Sequence, residues 1–255
     1  MSDTKILTRP YVIGPVDTSF VVPAGAGIVQ QLFLDTQVVG SITVASGFVS
    51  QWNDQSGFGR NVVQSNNSNQ WGYGAGVGGG APTLNGFYVM DLSFGSGTAY
   101  MDCIAATWGA TVNQRYAVFG VFLTTGGAAS TLTYPVAGNG GALLSSDGAS
   151  HVGYAAGAGQ YGSTNTYLNV WTILAGDFNH PGSASTLYAY THTGGLHTET
   201  TADPGGGSIS DFRIGATNPA GGYLLGNIAE IRVYTGMGTT DVTNMISTIA
   251  ARWGL

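Results

Sequence analysis

Short β-branched and aromatic runs separated by Gly- and Asn-rich breaks dominate the chain from residue 116 onward. Tyr116 to Leu123 (YAVFGVFL), Tyr167 to Phe178 (YLNVWTILAGDF) and Ser185 to Thr193 (STLYAYTHT) predict strands. Phe212 to Gly215 (FRIG) and Ile228 to Tyr234 (IAEIRVY) follow. In the latter, Ala229, Ile231 and Val233 fall on one side and Glu230 and Arg232 on the other, the period-two pattern of a strand with one face in a core and one in water. Earlier in the chain, Gln30 to Asp35 and Ser41 to Trp52 form two short β-like runs. They lead into a Gly/Asn/Ser-rich stretch, Asn53 to Gly80, that predicts a long surface loop or several tight turns.

One helix is predicted, and it closes the chain. Val242, Met245, Ile246, Ile249, Ala250 and Trp253 recur at helical spacing and make one apolar stripe that must dock on a sheet. Thr240 is the expected cap, Asp241 lies where the helix dipole favours a negative charge, and Gly254 follows the last turn. Residues 1–28 read differently. Pro10, Pro15 and Pro23 interrupt the apolar groups Tyr11, Val12, Ile13 and Phe20, Val21, Val22, which predicts an extended arm or edge strand ahead of a domain spanning 29–255.

Composition sharpens this picture. The 255 residues include 42 Gly and are 43% apolar but only 8% charged, as expected of a turn-rich β domain with a neutral polar surface. The net charge is −6, and the basic residues are scattered without a cluster, so the footprint of a nucleic-acid binder is absent. No window has the length and apolarity of a membrane span, and no signal-peptide pattern follows Met1, so synthesis in a cytoplasm is expected. Cys103 is the lone cysteine, which excludes an intrachain disulfide and reads as a small buried hydrophobe.

Two stretches carry a family resemblance. Leu32 to Asp35, Val49 to Gln64 (VSQWNDQSGFGRNVVQ) and Pro82 to Gly86 (PTLNG) resemble the opening of laminin-G-like, concanavalin-A-like jelly-roll domains of bacteriophage virion and bacterial surface proteins. Phe212 to Gly215, Gly226 to Tyr234 and the helix ending Ala251-Arg252-Trp253-Gly254 resemble the end of such domains. The resemblance implies an all-β, two-sheet jelly-roll sandwich with one C-terminal helix. Because that fold serves many functions, it does not choose among them. It also raises calcium, which relatives bind through loop oxygens. Asp54 is the candidate ligand, weighed against a simple turn in which the Asp and Ser side chains of Asn53 to Arg60 bond nearby amides.

Candidate chemistry is sparse. Glucanases of this fold use Glu-x-Asp-x-x-Glu on one strand, whereas around Glu230 this chain has Arg232 and Thr235 at the positions of the other two acids. A Gly-x-Ser-x-Gly elbow and phosphate-binding Gly motifs are missing. If Gly194-Gly195 makes a two-residue turn, His192 faces His197 and Tyr190 faces Glu199, a polar pair or, with a third ligand, a metal or pH-sensing site. Aromatics in or beside polar loops (Trp71, Tyr73, Phe87, Tyr88, Tyr100, Tyr134, Tyr154, Tyr161, Tyr223) could stack on sugars, with Trp71 and Tyr73 the named glycan-binding candidates.

No catalytic residue and no resident cofactor is expected. The leading expectation is a non-enzymatic bacteriophage virion structural protein, either a capsid decoration (cement) protein or a tail-fibre component. Its partners would be capsid or other virion proteins and copies of itself, docked through Tyr11, Val12, Ile13, Phe20, Val21 and Val22. The alternative is a carbohydrate-binding module or adhesin of a bacterial surface protein.

Overall fold

The computed structural model describes residues 27–38, 40–74, 82–94, 97–103, 115–125, 130–134, 142–146, 151–156, 160–179, 185–205, 207–217 and 222–255. Its strands are β1 (Val29–Asp35), β2 (Ile42–Ala45), β3 (Phe48–Trp52), β4 (Val62–Val63), β5 (Trp71–Gly72), β6 (Thr83–Leu84), β7 (Phe87–Tyr88), β8 (Met90–Asp91), β9 (Met101–Cys103) and β10 (Tyr116–Thr124). They continue with β11 (Ser130–Tyr134), β12 (Ala142–Ser146), β13 (His151–Ala155), β14 (Gln160–Thr166), β15 (Thr172–Phe178), β16 (Ser185–Thr191), β17 (Gly195–Ala202), β18 (Phe212–Ile214) and β19 (Gly226–Thr235). The helix α1 (Thr239–Trp253) follows.

Antiparallel pairing builds two layers. The first runs β17, β16, β15, β10, β19, β1. The second runs β14, β13, β12, β11, β18, β9, β4, β3, β2. Strands β5 and β8 carry the ladder from β3 across to β19. The principal core lies between the layers, where Leu32, Val118, Leu174 and Ile231 of the first meet Trp52, Met101, Leu132 and Phe212 of the second. The layers approach closely at Gly120, where a Cβ would stand 2.2 Å from Leu132 Cδ2, so only glycine fits that point of the ladder.

A second apolar cluster lies on the far face of the first layer, where Ala117, Phe119, Ile173, Ala175 and Tyr234 receive the helix stripe. All six expected stripe residues are buried. The helix starts one residue before the expected cap: Gly238 is the N-cap, and its N–H donates to Asp241 Oδ2 at 2.8 Å, a reciprocal bond that fixes the start at Thr239. Arg115 ties the same end to the sheet by pairing with Asp177 and donating to Thr239 Oγ1.

Because both of its own faces are covered, β19 departs from the expected pattern of one face in water. Ile231 and Val233 enter the core, while Glu230 and Arg232 are buried beneath the helix. A bulge in the pairing with β10 shifts the register at Ala229 and places it in the helix-side cluster. The run from Tyr167 is also shorter than expected. The strand begins at Thr172, because Asn169 adopts φ 55 and breaks the ladder. Arm residues Tyr11, Val12, Ile13, Phe20, Val21 and Val22 lie outside the described residues.

Trp253 is fully buried, meets Phe87 edge-on and donates Nε1–H to Glu230 Oε2 at 2.9 Å. Trp253→Ala should therefore cost about 3–5 kcal/mol. Urea unfolding of the variant checks this; a midpoint equal to the parent's would show that the helix contributes nothing to the core.

Candidate functional site

The stretch Asn53 to Arg60 closes an edge. Among the described strands β1 pairs with β19 on one side only, and its other side would present bare backbone groups to that extent. Asp54 answers this with both carboxylate oxygens. Oδ1 accepts from Phe33 N and Ser56 N, each at 2.9 Å, and Oδ2 accepts from Ser56 Oγ at 2.7 Å and Arg60 N at 3.0 Å. Gln55 N donates to Phe33 O at 2.7 Å, and the Arg60 guanidinium donates to Gln31 O and Oε1. Gly57 and Gly59, at φ 90 and 69, supply the turns. With four donors satisfied, the Asp54 carboxylate is a turn organiser, and the calcium-ligand role raised for it does not fit its geometry. Among the described residues no group of three potential metal ligands occurs.

Beneath the helix lies a buried charge cluster. Arg232 pairs with Glu230, Arg252 pairs with Asp35, and Arg252 Nε stands 3.7 Å from Glu230 Oε2. The Phe33 ring packs against both guanidinium groups, 4.4 Å from Arg232 and 5.7 Å from Arg252. Burial, reinforced by the neighbouring Glu230, pushes the Asp35 carboxyl up to about 6, against the lowering effects of Arg252, the Gln37 amide and Arg232. The acid expected to be most suspect for hydrolysis, Glu230, is thus sealed from solvent.

The face of the second layer that points away from the core carries no described helix. Cross-strand register lines up Thr43, Gln51, Val63, Asp102, Arg213 and Tyr134 as one row. Arg213 grips Asp102 with two bonds, Nε to Oδ1 at 2.7 Å and Nη2 to Oδ2 at 3.0 Å, and donates Nη1–H to Thr217 O. The guanidinium lies over the Tyr100 ring at 4.3 Å. The bond to Asp102 raises the Arg213 pKa, and its acidic and tyrosyl neighbours Asp102, Tyr100 and Tyr223 add to the rise against burial. Two of the roughly four lone-pair positions of Asp102 are used by the arginine, leaving acceptor capacity on its exposed edge. Gln51 is ordered by donating Nε2–H to Asn53 Oδ1, and Val63 between them is 41% exposed. The result is a preorganised patch of planar polar groups around one apolar side chain.

Other expected site residues fall elsewhere. Trp71 is fully buried, edge-on to Trp52 in the core, and so offers no stacking face. Tyr73 is half-buried, packs against Tyr88 and donates its hydroxyl to Thr36 O. Tyr154 is interior, while Tyr161 keeps 39% exposure. The histidine pair does not form, because Thr191 Oγ1 accepts from Gly194 N and closes a longer turn in which Thr191 pairs with Gly195 and His197 faces Ala189. Glu199 instead holds Tyr167 and Asn165. Burial drives the Cys103 thiol up to about 12, consistent with a packing role.

Sequence reasoning missed the Asp102 and Arg213 pair. A local signal existed, since each is a polar residue between two apolar ones (Met-Asp-Cys and Phe-Arg-Ile), but nothing in the chain links positions 111 residues apart.

The sequence matches no protein-family model and no curated protein. Solved structures share the fold. An arabinofuranosidase complexed with arabinofuranosyl-alpha-1,2-xylobiose superposes with a TM-score of 0.60 at 15% identity, covering 79% of this chain and 50% of that one. This chain therefore spans about half the length of that enzyme. Domain 4 of an extracellular arabinanase from Geobacillus stearothermophilus, in complex with arabinotriose, gives a TM-score of 0.51 at 15% identity over 86% of this chain and 98% of that one. A mutant Trypanosoma rangeli sialidase displaying trans-sialidase activity gives 0.50 at 14% identity, over 88% and 33%. The architecture is the concanavalin-A-like jelly-roll sandwich with one C-terminal helix.

Asp54→Ala removes the oxygen that accepts from the Phe33 amide, and should cost about 1–3 kcal/mol while exposing that amide to faster hydrogen exchange. Unchanged protection at Phe33 would refute the edge-closing role. Asp35 binds its proton more tightly folded than unfolded, so its contribution favours folding below pH 4 and is lost as pH rises through 6. Asp35→Asn should flatten the pH 4–6 segment of the stability curve, as measured by chemical denaturation at each pH.

Proposed function

We propose that this chain is a non-hydrolytic glycan-binding domain that receives its ligand on the outer face of the second layer, around Asp102, Arg213, Tyr100, Gln51 and Val63. The observation that carries the reading is the bidentate Asp102 and Arg213 pair packed on Tyr100, open to solvent on the carboxylate side. Sugar rings present hydroxyls in fixed directions beside small apolar patches. Rigid carboxylate and amide groups next to an aliphatic side chain complement that chemistry without a loss of side-chain entropy on binding.

The non-hydrolytic reading is supported by how six of the described acids are employed. Glu230 and Asp35 are beneath the helix, Asp54 holds the edge loop, Asp177 pairs with Arg115, Asp241 caps the helix and Glu199 holds Tyr167. A glycosidase needs two carboxyl groups facing one bond across an open cleft. The arabinose-containing ligands of two similar structures choose the first probes, arabinan and arabinotriose. Attachment to a virion through the N-terminal arm rests on residues outside the described ones, and the glycan reading does not depend on it.

Val63→Arg places a long side chain in the middle of the row at an exposed position, where stability should change by no more than about 0.5 kcal/mol. Calorimetric titration should show the parent binding arabinan or another polysaccharide and the variant weakened at least about tenfold. A parent protein that binds no polysaccharide, or that releases reducing sugar from one, would sink the proposal.

A further inference from the structure

We propose that Phe58 is a second, preformed sugar-stacking platform, which extends the site from the sheet face onto the β3–β4 loop and makes its ligand a neutral oligosaccharide rather than a single sugar. This inference rests on the glycan-binding reading above.

Phe58 is the most exposed large apolar side chain among the described residues, at 51%. Its surroundings are not those of a floppy loop. One side of the ring is occupied by the Arg60 guanidinium, 4.5 Å from the ring centroid, and that guanidinium is itself fixed by Gln31 O at 2.8 Å and Gln31 Oε1 at 2.6 Å. The backbone on either side is held by Asp54, through Ser56 N and Arg60 N, and Phe58 N donates to Ser56 Oγ at 3.3 Å. The ring is therefore oriented before any ligand arrives, with its remaining surface turned to solvent.

The loop around it carries no side chain on either flank: a Cβ built at Gly57 or at Gly59 would meet no atom beyond its own chain neighbours within 4 Å. Amide side chains stand close by in the chain, with Gln55 exposed and Asn61 partly so. A rigid aromatic face with amides around it suits the C–H face of a sugar ring with hydroxyls at its rim. The loop joins β3 to β4, whose Gln51 and Val63 belong to the row on the sheet face. Val63 lies five positions after Phe58, at most about 18 Å of chain, a span that a few linked sugars can bridge.

Charge decides the ligand class. The chain carries −6 overall, and each arginine of the described residues already faces an acceptor of its own: Arg60 with Gln31, Arg115 with Asp177, Arg213 with Asp102, Arg232 with Glu230 and Arg252 with Asp35. An acidic sugar would approach against the net field and meet no guanidinium without a partner, so neutral sugars are selected.

A printed array of neutral, sialylated and uronate-containing oligosaccharides, followed by calorimetric titration of the hits, tests this. The parent should bind neutral oligosaccharides in preference to acidic ones. Phe58→Ala should weaken the longest hit about tenfold and the shortest little, with an unchanged melting temperature, while Phe58→Tyr keeps parental affinity. Binding of the longest hit that survives Phe58→Ala but is lost in Val63→Arg overturns the platform and leaves the sheet-face site standing, as does a preference for acidic glycans overturn the ligand class. A parent that binds nothing on the array removes the glycan reading and the platform with it.

Discussion

Strand β19 is buried on both of its faces, and most of the architecture follows from how that burial is satisfied. Its inward residues Ile231 and Val233 join the core, as any sandwich strand would manage. Its outward residues Glu230 and Arg232 are charged, and a helix lies on top of them. Charges removed from water are tolerated only when each has a partner with good geometry, and removing one partner typically costs about 3–5 kcal/mol. Glu230 therefore needs Arg232, the Trp253 indole and Arg252, and Arg252 in turn needs Asp35 at the end of β1. One network thus joins the first strand, the last strand and the last turn of the helix. It gives the helix directional contacts with the sheet in addition to those of its apolar stripe.

That arrangement consumes the first layer. With a core on one side of β10, β15 and β19 and α1 on the other, these strands have no free face for a ligand, and the glutamate of β19 serves the structure. The recognition we propose therefore falls to the second layer and to the loop that closes the edge of the first. The same economy shows in the loop: Asp54, which blocks unwanted pairing along β1, also makes rigid the turn that carries Phe58. Edge protection and presentation of an aromatic ring are two results of one set of hydrogen bonds.

The strands, their breaks and the helix were legible in the chain because period and turn chemistry are local. The helix stripe appears residue for residue as expected, and the Asn53 to Arg60 segment is the turn its Asp, Ser and Gly residues indicate. The errors were also local in form but tertiary in cause. Alternation in β19 suggested a wet face because period alone cannot say what covers a strand. Trp71 looked like a surface aromatic because a Gly/Asn-rich neighbourhood reads as loop, whereas two residues of β5 suffice to turn its ring into the core. The hairpin at Gly194 slipped because the Thr191 hydroxyl, not the glycine pair, sets the turn.

By itself, the sequence determined the fold class, the helix and its buried stripe, and the turn at Asn53 to Arg60, all of which depend on residue types and short-range spacing. Only the tertiary structure decided which face is free, that Glu230 and Asp35 lie beneath the helix, and that Asp102 meets Arg213 over Tyr100. Those facts depend on strands brought side by side from distant parts of the chain, where the register of the ladder, rather than any spacing along the sequence, sets which side chains are neighbours.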